Sequence, residues 1–374
     1  MTNETPVFVE RNPDLIMSEC KEQLETILGR ELQPAQVEQL MLQFIVYREV
    51  LLLNRFNAGM SQLLYQFSKA PVLDYIAGLV AVERLPAASA GCTVRFTLIA
   101  GHGNVLLPEG TRVATSDSEV IFLTTDDYII PPSSTFPIED IEGVKINVLA
   151  EIPGKSANGY ESGTVNKILD PLAFVSTVEN LDITGGGSDE ETDEQLRERI
   201  RLAPSQYSSA GSRQSYLFYA KSANPLIRDV SVSSPIPGTV LIVPLTDDDE
   251  IPEQVITDIY NTCNAENVRP LTDTVIVSAP EKKDYNIEVN IVLYENADAS
   301  NVQNQIISVL NQYAKENREK LGKDIVRSHI AKICRMDSVY DVEVVSPLDN
   351  IVITESEFAN CTDIEVNITG FNHG

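Results

Sequence analysis

The sequence is short of the residues from which catalytic and membrane-spanning proteins are usually built. It has no tryptophan, three histidines and five cysteines in 374 residues, and 55 acidic residues outnumber 28 basic ones for a net charge of −27. Phosphate backbones and anionic lipids repel such a chain, so neither nucleic acid binding nor a lipid surface is expected. No apolar run reaches the roughly 20 residues that a bilayer-spanning helix needs. Arg48, Glu49, Asn54 and Arg55 interrupt the greasiest stretch, which disfavours membrane insertion there. The first residues lack the basic-then-apolar order of a secretory signal, and a cytoplasmic chain is expected. Cys20, Cys92, Cys263, Cys334 and Cys361 are scattered with no C-x-x-C, as free thiols in a reducing compartment would be. The sequons at Asn3, Asn360 and Asn367 are then accidental.

Chemistry is equally scarce. His102, within Gly-His-Gly, has no His or Cys neighbour at metal-ligand spacing and reads as a turn residue. His329, one turn from Ile325 and Ile333, reads as a semi-buried histidine, and His373 falls in a frayed tail. Asp247–Glu250 places four carboxylates together without the D-x-D-x-D-G spacing that wraps a cation, so a solvated loop before a helix is expected. Gly185–Gly187 precedes a helix, but no G-K-[ST] follows and carboxylates crowd the helix start, which would repel phosphate. Neither G-x-S-x-G nor H-E-x-x-H occurs. The expectation is therefore no enzyme, no cofactor and no metal.

What is present is ordered and modular. Apolar residues make up 43% and charged residues 22%, as in globular chains, and the length calls for several domains. Residues 12–82 read as helical, with Pro13 near one start and Pro34 at another. Between Leu40 and Phe67 most residues are apolar, over most of a helix's circumference. A single helix over residues 35–69 would be about 50 Å long, with too little chain around it to cover it. Pro71 opens a short helix. Residues 91–178 alternate as strands, Thr93–Ile99 and Val144–Ile152 most clearly, with turns at Gly101–Gly103, Pro108–Gly110, Pro153–Gly154 and Asn158–Gly159. Pro252 starts a helix, Val275–Val277 a strand, and Ile287–Leu293 a further strand. Val302, Ile306, Val309, Leu310 and Tyr313 recur at helical spacing. Asp324 is expected to cap a helix carrying Ile325, Ile330 and Ile333. Strands at Tyr340–Val344, Ile351–Ile353 and Ile364–Ile368 close the chain. The fold class expected is multidomain α+β: long N-terminal helices (1–90), a β-rich domain (91–185), a central helix–hairpin α+β domain (186–280) and a C-terminal α+β domain (281–374).

The densest block is Gly185–Leu245. Ser188 and Glu191 are spaced as a capping box, acidic residues fill the first turns and Arg197, Arg199 and Arg201 the last, and Pro204 ends the helix. Gly211–Ser212 begin a second helix with Tyr216 and Ala220. Val230 and Val232 form a strand, Pro235 and Pro237–Gly238 a turn, and Val240, Ile242 and Leu245 the returning strand. This order resembles the signature block of the baseplate J-like family, which builds wedges of contractile phage tails and related injection machines. P-E-G-T-R-V at Pro108–Val113, A-E-I-P-G-K-S-A-N-G at Ala150–Gly159, R-P-L-T-D at Arg269–Asp273, Y-N-I-E-V and L-G-K-D-I-V-R-S-H-I extend the resemblance.

The resemblance implies a structural wedge subunit that links wedges into a ring around the hub and couples baseplate rearrangement to sheath contraction. Implied partners are other wedge proteins, a small sheath-linked wedge protein and neighbouring copies of the chain. Assembly would occur in the cytoplasm, and the final location would be the baseplate of the tail or tail-like particle. Carried onto this sequence, the bundle helix is Pro34–Lys69, with Phe44, Tyr47, Leu51, Phe56, Leu63 and Phe67 as buried anchors that order only with partners, and ring contacts come from residues after 280. The alternative reading is a carbohydrate-binding surface or tail adhesin using the β-rich domain, which zero Trp and 6% aromatics weaken.

Overall fold

The computed structural model describes residues 5–34, 36–99, 101–132, 144–207, 211–248, 250–266 and 268–373. The Asn3 sequon, Ala35 at the start of the expected long helix, Asp249 of the acidic run, residues 208–210 of the signature block and residues 133–143 of the β-rich stretch lie outside them. The chain forms two compact units, Met1–Arg84 with Thr192–Ala203, and Leu85–Glu191 with Pro204–Gly374.

The first unit is helical. α1 (Pro13–Leu28) starts as the sequence reads, with Pro13 in the first turn and the Asn12 side chain accepting from Asp14 N, and it stops at left-handed Gly29. α2 spans Val37–Ser61. It is therefore about 38 Å long rather than 50 Å. The expected helix ends early because Gln62 organises a turn instead: its amide donates to Phe67 O and its carbonyl accepts from Lys69 N at 2.9 Å. α3 (Val72–Gly78) follows Pro71 as expected, and α4 (Asp193–Leu202) completes the unit. Asn57, buried in α2, accepts from Phe8 N and Val9 N and donates to Val9 O, which fixes the chain ahead of α1 against α2.

The second unit begins with antiparallel strands: β1 (Gly91–Leu98), β2 (Val105–Leu107), β3 (Arg112–Thr115), β4 (Ile121–Thr124), β5 (Tyr128–Ile130), β6 (Val144–Ala150), β7 (Val165–Ile168) and β8 (Val175–Asn180). Six of them form one sheet in the order β7-β3-β4-β6-β1-β8, and β2 pairs with β5. Alternation puts Val94, Phe96, Phe122, Ile146 and Val148 into one core. The sheet's two ends meet at Asn180, whose Oδ1 accepts from Val165 N at 2.8 Å and whose carbonyl accepts from Gly163 N. The sheet is thus close to a barrel.

Next come α5 (Arg213–Ala223), β9 (Asp229–Ser233), β10 (Thr239–Leu245), α6 (Glu253–Cys263) and β11 (Thr274–Val277). β10 is central, antiparallel to β9 and parallel to β11. The last part holds β12 (Glu281–Tyr294), α7 (Ala299–Arg318), α8 (Arg327–Cys334), β13 (Val339–Ser346) and β14 (Glu357–Asn372). β12 lies between antiparallel β13 and parallel β14. Val302, Ile306 and Leu310 pack with Ile287, Val289 and Ile291 in one core, as their two periodicities predict. The whole is multidomain and α+β.

Three local expectations fail here. The capping box of α4 is Thr192 with Gln195, not Ser188 with Glu191. Residues 185–191 run extended beside residues 85–91, with bridges Ala88–Ser188 and Gly91–Gly185, and Glu191 instead accepts from Leu85 N. Asp324 caps no helix. It accepts from Ile353 N, Ile325 bridges Ile351, and α8 starts three residues later. The closing strand expected at Ile351–Ile353 is only a single bridge at Ile351, whereas the one expected at Ile364–Ile368 is present as part of the longer, 16-residue β14.

Candidate functional site

The described residues of the signature block form joints between segments that are distant in sequence. In the second unit, Gly211 has φ 64° and leads into α5; a Cβ there would sit 2.6 Å from Pro270 Cγ and 2.9 Å from Asp273 Oδ2. Only glycine combines that backbone with that approach. Ser212 then caps α5 through Ser215 N. Tyr216, 2% exposed, donates its hydroxyl to Asp273 Oδ2 at 3.0 Å, and Arg269 Nη1 donates to Asp273 O at 2.7 Å. Burial, then the Asp273 carboxylate, push the Tyr216 hydroxyl above its ordinary pKa, so it stays protonated and donating. Thr274 N donates to Gly238 O, which ties the P-x-P-G turn to the same place. The glycine-led helix, the R-P-L-T-D stretch and the proline turn are distant in sequence and meet here.

In the first unit, α4 serves residues 68–84. Arg84 bridges Asp74 and Asp193, each at 2.8 Å. Arg197 donates to Ser68 O at 2.7 Å and Arg199 to Glu83 O at 3.0 Å. Arg197 and Arg199 thus supply donors to backbone carbonyls outside the helices, and Leu73, Ala77 and Leu196 of the same unit are fully buried. Desolvation alone would raise the Asp193 pKa, but the hydrogen bonds from Arg84 and Ala70 N hold it below the ordinary carboxylate value.

The six expected bundle residues divide. Phe44, Tyr47 and Phe56 lie on α2 and are 64%, 60% and 48% exposed; Leu51, also on α2, is half-buried. Leu63 and Phe67 lie in the turns beyond the helix, the first exposed and the second half-buried. Only Leu42, Val46, Asn57 and Ser61 of α2 are buried. Val37, Leu40, Met41 and Ile45 join Phe44 in a shallow apolar depression of about 420 Å³. Their i, i+3, i+4, i+7, i+8 spacing was legible in the sequence and marks these residues, beyond Phe44, as members of the same face.

The histidines are placed as follows. His102 is buried, its Nδ1 2.8 Å from Gly103 O, next to the turn. His329 is exposed, not semi-buried, because α8 turns Ile330 and Cys334 inward instead. His373 sits 2.7 Å from Glu295 rather than fraying free. Asp247 accepts from Nε and Nη2 of Arg228, and Asp248 and Glu250 are exposed. Among the described residues, no group of three or more His, Cys, Asp or Glu is arranged to hold a metal ion, and no helix is long and apolar enough to cross a membrane. Burial raises the thiol pKa of Cys92 and Cys263 to about 12 and of Cys334 to about 11, so none is an activated nucleophile.

These features define a multidomain α+β protein whose distinctive residues hold elements together. Comparison with known families matches three consecutive domains: the Baseplate J-like protein barrel domain over residues 93–187, the Baseplate J-like central domain over 208–279 and the Baseplate J-like protein C-terminal domain over 285–367. The chain belongs to the baseplate J-like family, a family of structural proteins of phage and phage-like tail baseplates. It is 31% identical over 182 residues to Baseplate protein J of Escherichia phage P2, a match covering 48% of this chain and 60% of the phage protein. A solved structure, the six-fold symmetrised cryo-EM structure of the anti-feeding prophage baseplate, aligns over 93% of this chain and 90% of its own with a TM-score of 0.41 and 13% identity.

Proposed function

We propose that this chain is a wedge subunit of a contractile tail or tail-like injection machine, joining neighbouring wedges into a ring around the hub. The observation that carries the reading is the α2 surface. Phe44, Tyr47, Leu40, Met41 and Val37 are each more than half exposed on one 25-residue helix. So much clustered apolar surface marks an interaction site. Its partners are helices of other wedge proteins and of a small sheath-linked wedge protein, with Phe44, Tyr47, Leu51, Phe56, Leu63 and Phe67 as anchors. Residues after 280 contact a neighbouring copy, and the division at residues 90, 185 and 280 separates the bundle, barrel, central and ring-contact functions. Assembly occurs in the cytoplasm before the particle is complete.

Inter-wedge contacts that hold a sheath extended and later release it must have two arrangements of similar energy, so the ring interface is bistable rather than maximally tight. Co-expression with the other baseplate proteins of the same particle tests the reading. Co-purification that Phe44→Glu and Met41→Glu abolish is the expected result. A chain that stays monomeric beside every candidate, with residues 37–61 as protease-resistant alone as in the mixture, overturns it.

A further inference from the structure

Within the second unit lies a cleft of about 550 Å³ that the structural role just described does not use. Its charged lining is Lys155, Arg228, Asp247, Lys315, Arg318 and Glu319. In a chain with 28 basic and 55 acidic residues, six charged positions would on average hold about two cations. This cleft holds four. Its walls come from the loop after β6, the β9–β10 hairpin with the turn beyond it, and the last turns of α7 with the start of β14.

The cations are held in place. Arg228 grips Asp247 through two donors at 2.8 and 2.6 Å, and Lys155 lies 3.2 Å from Asp189. Arg318 stacks its guanidinium 4.7 Å from the centroid of the buried Phe358 ring and donates to Asp247 O at 3.0 Å. That stacking fixes a long side chain before anything binds, which lowers the entropy cost of using it. Lys315, three residues earlier on α7, faces the same cleft and makes no ion pair among the described residues. Both lie in the helix's last turns, where the backbone dipole favours positive charge.

We propose that this cleft receives an acidic peptide segment of another protein, its carboxylates seated on Lys315 and Arg318. The resident carboxylates select the ligand class. Asp247 and Glu319 repel any anion, but a peptide brings N–H groups that these carboxylates can accept from beside its own carboxylates, and a phosphate dianion brings none. A long polyanion is disfavoured by the net charge of −27, whereas a short segment feels mainly the groups within about a Debye length of 8–10 Å. That the segment belongs to a baseplate neighbour rests on the wedge reading; the cleft's preference for an acidic peptide does not.

The test is fluorescence polarisation of the whole chain with a labelled peptide, Gly-Asp-Glu-Asp-Glu-Gly, against its amide counterpart, Gly-Asn-Gln-Asn-Gln-Gly. The acidic peptide binds saturably and weakens with added salt, and the amide peptide does not bind. Lys315→Gln with Arg318→Gln weakens binding about tenfold, as two partly exposed ion pairs would, while Lys320→Gln, outside the cleft, leaves it unchanged. Lys315→Gln alone, at an exposed position, gives a smaller loss without touching the Phe358 stack. Inorganic phosphate fails to displace the peptide. Absent saturable binding, binding indifferent to the Lys315 and Arg318 changes, or ready displacement by phosphate each overturns the proposal. None of these outcomes bears on α2, so failure here is distinguishable from failure of the wedge reading.

Discussion

Gly211 concentrates two constraints in one residue, a left-handed backbone and contact with Pro270. Gly211→Ala adds strain and overpacking together and costs about 2–4 kcal/mol, read as a lowered denaturant midpoint. Tyr216→Phe removes only the hydroxyl from Asp273 and costs about 1 kcal/mol; an unchanged midpoint would mean that this hydrogen bond does not help hold the joint. Asp193 gives a pH dependence. Its folded-state pKa lies below the ordinary 3.8, so the unfolded chain takes up the proton first. The stabilisation is complete above about 3.8 and is lost as pH falls through the folded value. Helical signal from the first unit should fall over that range in acid titration, and Asp193→Asn should shrink the fall. An identical slope in the variant would remove Arg84–Asp193 from the account.

Among the elements, α2 and α4 have opposite relations to their surroundings. α4 is fully committed: Leu196 is 0% exposed, and Leu196→Ala should cost about 2–5 kcal/mol. α2 keeps its apolar side exposed, so Phe44→Gln should change the stability of the isolated chain by less than about 0.5 kcal/mol while weakening association. A large loss in the isolated chain would mean that Phe44 belongs to a core of its own. The contrast also explains what the sequence made legible. Elements whose pattern is internal to them were readable: the alternation of β12 and the helical spacing of α7, and the Ser212 start of α5. Ser188 with Glu191 and Asp324 misled because each has the right local spacing for a cap. Residues far along the chain donate to the two carboxylates instead, Leu85 N to Glu191 and Ile353 N to Asp324. The long β14 was hidden because Thr362, Asp363 and Thr369 interrupt its apolar alternation. The joint of Gly211, Tyr216 and Asp273 was visible as motifs but not as a contact, since nothing local pairs residues 57 positions apart.

At the scale of the molecule, one unit holds the N-terminal helices with α4, and the other holds the near-barrel and the smaller sheets. The described residues offer no arranged metal-ligand cluster, and the thiols with shifted pKa values move away from reactivity. Among the described residues, α2 carries a cluster of exposed apolar side chains, Val37, Leu40, Met41, Phe44, Ile45 and Tyr47. The most direct measurement is amide hydrogen exchange across Val37–Ser61, in the isolated chain and in purified assembled baseplates. Strong slowing there in the particle, centred on Phe44 and Tyr47, is the predicted result. Equal exchange in both states would show that the helix meets no other chain and would contradict the account.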